Sequence, residues 1–261
     1  MAIIGAILGD IAGQQFEFNH TKDIDWEHVK LFPNDAVFTD DTVLTIATKY
    51  ALEKQIPFSI AYHIFGNSYR DVGYGWDFAN WLESTAMKPY GSYGNGSAMR
   101  VSPVIEFCES EQDVIMMATN TAVCTHNHPE GVKGAVVTAM CGWMAKMGAS
   151  KAEIEDYAKS MYPKENYGYS VELSLNEIRS NYIWNATCQG SVPVAIRCFL
   201  DSENYESFLR NVISLKGDAD TLCAIGGCIA EEFYGKTGFD DDALLRKYLD
   251  DNLYEKLKSV S

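Results

Sequence analysis

The sequence has no CxxC pair, no HExxH pair, no GxxxxGK[ST] loop and no apolar run long enough to cross a bilayer. Each absence removes a class of function: thiol redox or zinc-ribbon chemistry, zinc peptidase chemistry, P-loop nucleotide hydrolysis and membrane transport. Basic residues are also scarce, 21 Lys and Arg against 36 Asp and Glu, for a formal net charge of -15. That balance argues against nucleic acid as a main partner, except as a modified substrate, and against an anionic membrane surface. The seven cysteines are odd in number and sit mostly in apolar surroundings, which reads as reduced, buried thiols. The apolar N-terminus lacks a basic flank and is interrupted by Asp10, so it makes a poor signal peptide. A cytoplasmic protein with no membrane association and a monomeric state is expected. With no internal repeat, low-complexity segment or Pro/Ser-rich linker, residues 1–261 are read as one domain.

What is present is helical. Of the 261 residues, 47% are hydrophobic and 22% charged, the balance of a globular chain that buries a core. Helical periodicity marks 42–54, 131–147, 151–161, 191–201, 205–215, 221–234 and 241–257. Ser150 with Glu153 forms a capping-box pattern, and Pro193 near the start of 191–201 suits a first turn. Alternating strand-like runs are nearly missing, so the fold class is all-α.

Two short segments concentrate oxygen donors at helix starts. Thr39-Asp40-Asp41-Thr42 precedes one apolar helix, and Asp218-Ala219-Asp220-Thr221 precedes another. Capping accounts for one such residue per helix. Two adjacent carboxylates repel unless something positive lies between them. The donors are hard oxygens without Cys or His, which suits Mg2+, Mn2+ or Ca2+ in preference to zinc. The second segment does not fit the aspartyl-phosphate pattern DxDx[TV], since Leu222 follows two places after Asp220. Three more segments stand out. Tyr90 to Arg100 is a glycine-rich loop able to cradle phosphate or simply to flex. Glycines 5, 9 and 13 place small residues on one helix face, with Glu17 just beyond. Thr125-His126-Asn127-His128 offers two histidines in a loop.

Taken in order, these segments resemble the ADP-ribosylglycohydrolase family, the group that includes dinitrogenase-reductase-activating glycohydrolase. Gly5 to Gly13 with Glu17, Phe38 to Thr42, Tyr93 to Arg100, Thr125-His126 with Pro129-Glu130-Gly131, and Gly217 to Thr221 carry the resemblance. It implies a compact orthogonal helical bundle with a binuclear metal site between helix N-termini, holding two Mg2+ or Mn2+ ions. By position it makes Thr39, Asp40, Asp41, Asp218, Asp220 and Thr221 metal ligands. Glu17 and Asp218 become the candidate catalytic carboxylates. Gly91, Ser92, Tyr93, Gly94, Asn95, Gly96, Ser97 and His126 become contacts to the substrate, with Tyr93 stacked on adenine. The implied reaction is hydrolysis at C1 of the distal ribose, freeing ADP-ribose from a protein side chain or small acceptor. A non-catalytic ADP-ribose-binding or crystallin-like structural member of the same fold is the competing expectation. Lys216 departs from the pattern, because the family often has glycine there.

Overall fold

The computed structural model describes residues 2–18, 24–166 and 168–259. In chain order the helices are α1 Ala2–Gly13, α2 Asp40–Lys54, α3 Phe58–Ser68, α4 Trp76–Glu83, α5 Gly96–Met99, α6 Pro103–Phe107, α7 Glu111–Val123 and α8 Pro129–Lys146. They continue with α9 Lys151–Met161, α10 Leu175–Asn181, α11 Cys188–Leu200, α12 Tyr205–Ile213, α13 Ala219–Tyr234, α14 Asp241–Tyr248 and α15 Asp251–Lys258. A 3-10 turn at Gln14–Phe16 follows α1. The described residues contain no strand, only an isolated bridge between Gly94 and Thr187, so the all-α expectation holds. No described helix is long and apolar enough to cross a membrane, and all seven cysteines are free thiols.

The core is organised on the crossing of α1 and α13. Every residue of α1 is buried, and its only charge is Asp10. An added Cβ at Gly5, Gly9 or Gly13 would collide with the backbone carbonyls of Gly227, Cys223 and Ala219 respectively. Spacing of four along one helix therefore lets the two backbones approach closely along their length. The buried N-terminus of α1 has no acidic residue in its own first turn, and three glutamates from elsewhere satisfy its free amides. Ala2 N donates to Glu232 at 2.7 Å, Ile3 N to Glu106 at 3.1 Å and Gly5 N to Glu231 at 2.6 Å. α13 also packs on α8, α11 and α12.

Most helix ends follow local chemistry. Ser150 and Glu153 form the expected capping box on α9. Three expectations need correction. The segment 241–257 is two helices: Leu249 is extended, and the Asp250 carboxylate accepts from Leu253 N at 2.9 Å, which starts α15 afresh. α11 begins at Cys188, because Thr187 is the residue whose side chain caps it, so Pro193 lies inside the helix and not in its first turn. α2 begins at Asp40, two residues earlier than its apolar pattern, since polar Asp40 and Asp41 carry no periodicity signal.

Candidate active site

The starts of α2 and α13 meet beside α1. Thr39 caps α2, accepting from Asp41 N at 3.3 Å, and Asp40 and Asp41 occupy the first turn. Asp218 stands at the cap position of α13 but makes no capping bond; its Oδ2 accepts from Asn95 Nδ2 at 2.6 Å. The two helix starts touch through Thr221, whose Oγ1 donates to Asp41 Oδ2 at 3.2 Å. Glu17 arrives from the end of the 3-10 turn. Capping thus accounts for Thr39, while the carboxylates converge.

Asp10 was not singled out by sequence reasoning, and it holds this arrangement together. Fully buried on α1, it accepts from Thr39 N at 2.9 Å, Thr39 Oγ1 at 2.8 Å and Thr42 N at 3.1 Å, and from Thr42 Oγ1. Carboxylate oxygens of Asp10, Asp41 and Asp220 all lie within 4.8 Å of one another, as do those of Glu17, Asp218 and Asp220. Asp220 belongs to both groups. The available signal for Asp10 was its being the one acid in an apolar run.

Burial raises the proton affinity of all six carboxyls. Burial and then Asp218 push Glu17 up to about 7. Burial and then Asp10 push Asp40 up to about 8. Asp10, Asp41, Asp218 and Asp220 move in the same direction, burial again being the largest cause. Asp41 Oδ1 is buried without a hydrogen-bond partner. Hard oxygen donors, mutual repulsion and an unpartnered inward lone pair fit a divalent cation.

The cluster forms the floor of a cavity of about 460 Å³. Tyr90, Ser92, Gly94, Asn95, Gly96 and His126 contribute to its wall, and exposed Phe18, Trp76 and Trp184 stand at its rim. The loop is held by Asn95 N donating to Ala186 O at 2.8 Å and by Cys188 N donating to Tyr93 O at 2.9 Å. Three of the expected substrate contacts lie off the wall. Ser97 is fully buried, its Oγ donating to Gly131 O at 2.7 Å, because it has entered α5. Gly91 is turned at φ 73° with its N–H on Asn127, and the Tyr93 ring lies 5.2 Å from His128. His128 itself caps α8, accepting from Glu130 N. Lys216 is not on the wall either. Its φ is 58°, the left-handed region that glycine adopts without cost, which explains why glycine suits this place.

The ADP-ribosylglycohydrolase family model matches residues 1–259. ADP-ribosylhydrolase ARH3 of Mus musculus is 28% identical over 305 residues, covering 89% of this chain and 82% of its own. ADP-ribosylarginine hydrolase Tri1 of Pseudomonas putida is 25% identical over 277 residues, covering 91% of this chain and 70% of its own. Among solved structures, an ADP-ribosylglycohydrolase-related protein complex shares the fold at a TM-score of 0.71 and 21% identity, over 98% of this chain and 93% of that one. The chain belongs to the ADP-ribosylglycohydrolase family, glycosyl hydrolases that release ADP-ribose from a modified substrate.

Proposed function

We propose that this protein hydrolyses the glycosidic bond at C1 of the distal ribose, releasing ADP-ribose from a modified side chain or small acceptor with the aid of two Mg2+ or Mn2+ ions. The observation that carries this reading is the convergence of five carboxylates, Glu17, Asp40, Asp41, Asp218 and Asp220, on the floor of a cavity whose wall is a glycine-rich loop. Thr39, Asp40 and Asp41 would hold cations from the α2 side, and Asp218, Asp220 and Thr221 from the α13 side. Bound cations would orient ribose hydroxyls and lower the pKa of an attacking water. Asn95 fixes Asp218 through its 2.6 Å bond and so aims that carboxylate. Asp218 and Glu17 are the groups that take or return a proton as the bond to C1 breaks. Glu17 is the less enclosed of the two, which suits exchange with solvent. The amides of Gly94 and Asn95 are bonded to Ser92 Oγ and Ala186 O, so the backbone amides of Ser92 and Gly96 and the His126 ring supply donors for the anionic diphosphate, which a protein of net charge -15 would otherwise repel.

The test is chromatographic. Serine-, arginine- and acyl-linked ADP-ribose conjugates are incubated with the protein and Mg2+, and free ADP-ribose is measured. Release from at least one conjugate, abolished by Asp40→Asn with Asp220→Asn, is expected. Undiminished release by that double variant would sink the reading, and inorganic phosphate in place of ADP-ribose would point to a phosphohydrolase.

A further inference from the structure

We propose that Arg100, acting through the hydroxyl of Thr125, fixes His126 as the neutral tautomer protonated on Nε2, so that the ring presents a hydrogen-bond donor to an oxygen of the cavity ligand.

Arg100 is fully buried in a site crowded with acids, yet the bonds it makes are to neutral groups. Its Nη2 donates to Thr121 O at 3.2 Å and to Thr125 Oγ1 at 2.7 Å, and its Cζ lies 4.1 Å from the centre of the Tyr62 ring. The guanidinium can only donate, so the Thr125 oxygen is an acceptor in that contact. The same oxygen lies 2.8 Å from His126 Nδ1. One of the two must donate. A hydroxyl polarised by a cation is a stronger donor and a poorer second acceptor. The Thr125 proton therefore goes to Nδ1, and the ring proton is left on Nε2. The Cys124 thiol also neighbours this hydroxyl, but sulfur is the weaker acceptor. Burial, and then the positive charge of Arg100, hold His126 well below the usual histidine range, so the ring stays neutral.

Nε2 lies on the open edge of the ring. A Cβ placed on Gly96 would sit 3.2 Å from Nε2 and one on Gly94 3.6 Å away, so the glycines keep that edge clear beside the cavity. The opposite tautomer would turn a lone pair toward the ligand and repel a phosphate oxygen, which has no proton to donate. Arg100 and Thr125 are thus positioning residues, and His126 is the group that touches the ligand. The contact to ADP-ribose rests on the function proposed above; the tautomer does not.

The experiment uses the full chain labelled with 15N-histidine. Long-range 15N–1H spectra near neutral pH are recorded for the wild type, Thr125→Ser and Thr125→Val, with ADP-ribose affinity measured calorimetrically in Mg2+. A protonated Nε2 and bare Nδ1 are expected in the wild type and in Thr125→Ser. Thr125→Val should lose the single tautomer and bind ADP-ribose about tenfold more weakly, the scale of one hydrogen bond. Thr125→Ala replaces valine if the latter unfolds the chain. A wild-type spectrum with protonated Nδ1, or with an imidazolium, overturns the proposal. So does an unchanged spectrum when the hydroxyl is removed. A wild type with the expected tautomer that binds no ADP-ribose would overturn the functional reading and leave the tautomer assignment standing.

Discussion

Asp10 and Thr39 are joined twice, amide to Oδ2 at 2.9 Å and hydroxyl to Oδ1 at 2.8 Å, although 29 positions separate them. Through this pair the α1–α13 crossing sets where α2 begins, and hence where Asp40 and Asp41 point. With the Thr42 donors added, Asp10 accepts four hydrogen bonds. Those bonds offset part of the cost of burying its carboxylate, which burial still pushes toward the protonated form. Asp10→Asn replaces one acceptor oxygen with an amide that faces donors, so the variant should lose about 1–3 kcal/mol of stability. Its ADP-ribose release should fall at least tenfold as the α2 turn loosens. Urea unfolding and the release assay check both; a variant as stable as the wild type would show that Asp10 does not anchor α2.

Asp220 predicts the opposite sign. It accepts from the Thr221 amide at 2.9 Å and faces the charges of Asp218, Asp41, Glu17 and Asp10. Removing one of several like charges relieves repulsion, so Asp220→Asn should melt higher than the wild type in EDTA, by the equivalent of about 1 kcal/mol. Adding Mg2+ should raise the melting temperature of the wild type and leave the variant nearly unmoved, since ligand binding to the native state alone is what stabilises. A variant that melts lower in EDTA and still responds to Mg2+ would remove Asp220 from the cation site.

The pH dependence follows from the same crowding. Glu17 rises from 4.5 to about 7 and Asp40 from 3.8 to about 8 in the folded protein. Between those limits the native state holds protons that the unfolded chain has released, so these two groups make stability fall with rising pH up to about pH 8. Carboxylates shifted the other way, such as Asp242 beside Lys258, gain their stability from deprotonation at lower pH and do not offset this fall. His126, held neutral in the fold, opposes this fall below about pH 6.5, so melting in EDTA should weaken from about pH 6.5 to pH 8, and the gain on adding Mg2+ should grow across the same span. A melting temperature in EDTA that climbs with pH across that span would contradict the shifts.

How much of this was legible beforehand depended on whether the signal was local. Ser150 with Glu153, and the donor-rich starts at Thr39 and Asp218, announce helix ends within four residues, and the glycines at 5, 9 and 13 announce a close crossing. The partner of Asp10 was not readable, because its bonds close over 29 and 32 positions. The split at Leu249 was hidden by an apolar period that continues across it, while one aspartate capping bond decides the break. In the glycine-rich loop the backbone directions at Gly91 and Ser97, not the residue types, determine which side chains reach the cavity.

Lys216 gives a small, signed prediction. A non-glycine residue at φ 58° costs about 1–2 kcal/mol, and glycine returns part of that through greater freedom of the unfolded chain. Lys216→Gly should be no less stable than the wild type, by up to about 1 kcal/mol more stable, and should keep its activity, since residue 216 is not on the cavity wall. A loss of ADP-ribose release without a loss of stability would give the lysine a part in the site.

The α1–α13 crossing is tested by comparing two glycines that differ in why they are glycine. Gly9 has ordinary helical backbone, but an added Cβ would run into the Cys223 carbonyl, which cannot step aside as a side chain could. Gly148 has φ 85° and open space around its Cα. Gly148→Ala should therefore cost only the left-handed penalty, about 1–2 kcal/mol, and leave ADP-ribose release untouched. Gly9→Ala must part the helices, with a cost of about 3 kcal/mol or more. It also moves the neighbouring Asp10 away from Thr39 and Asp220, so the rise in melting temperature on adding Mg2+ should shrink along with activity. Urea unfolding with and without Mg2+ separates the two variants. Equal losses of stability, with the Mg2+ response intact in both, would mean that the close crossing does not set the geometry of the carboxylates.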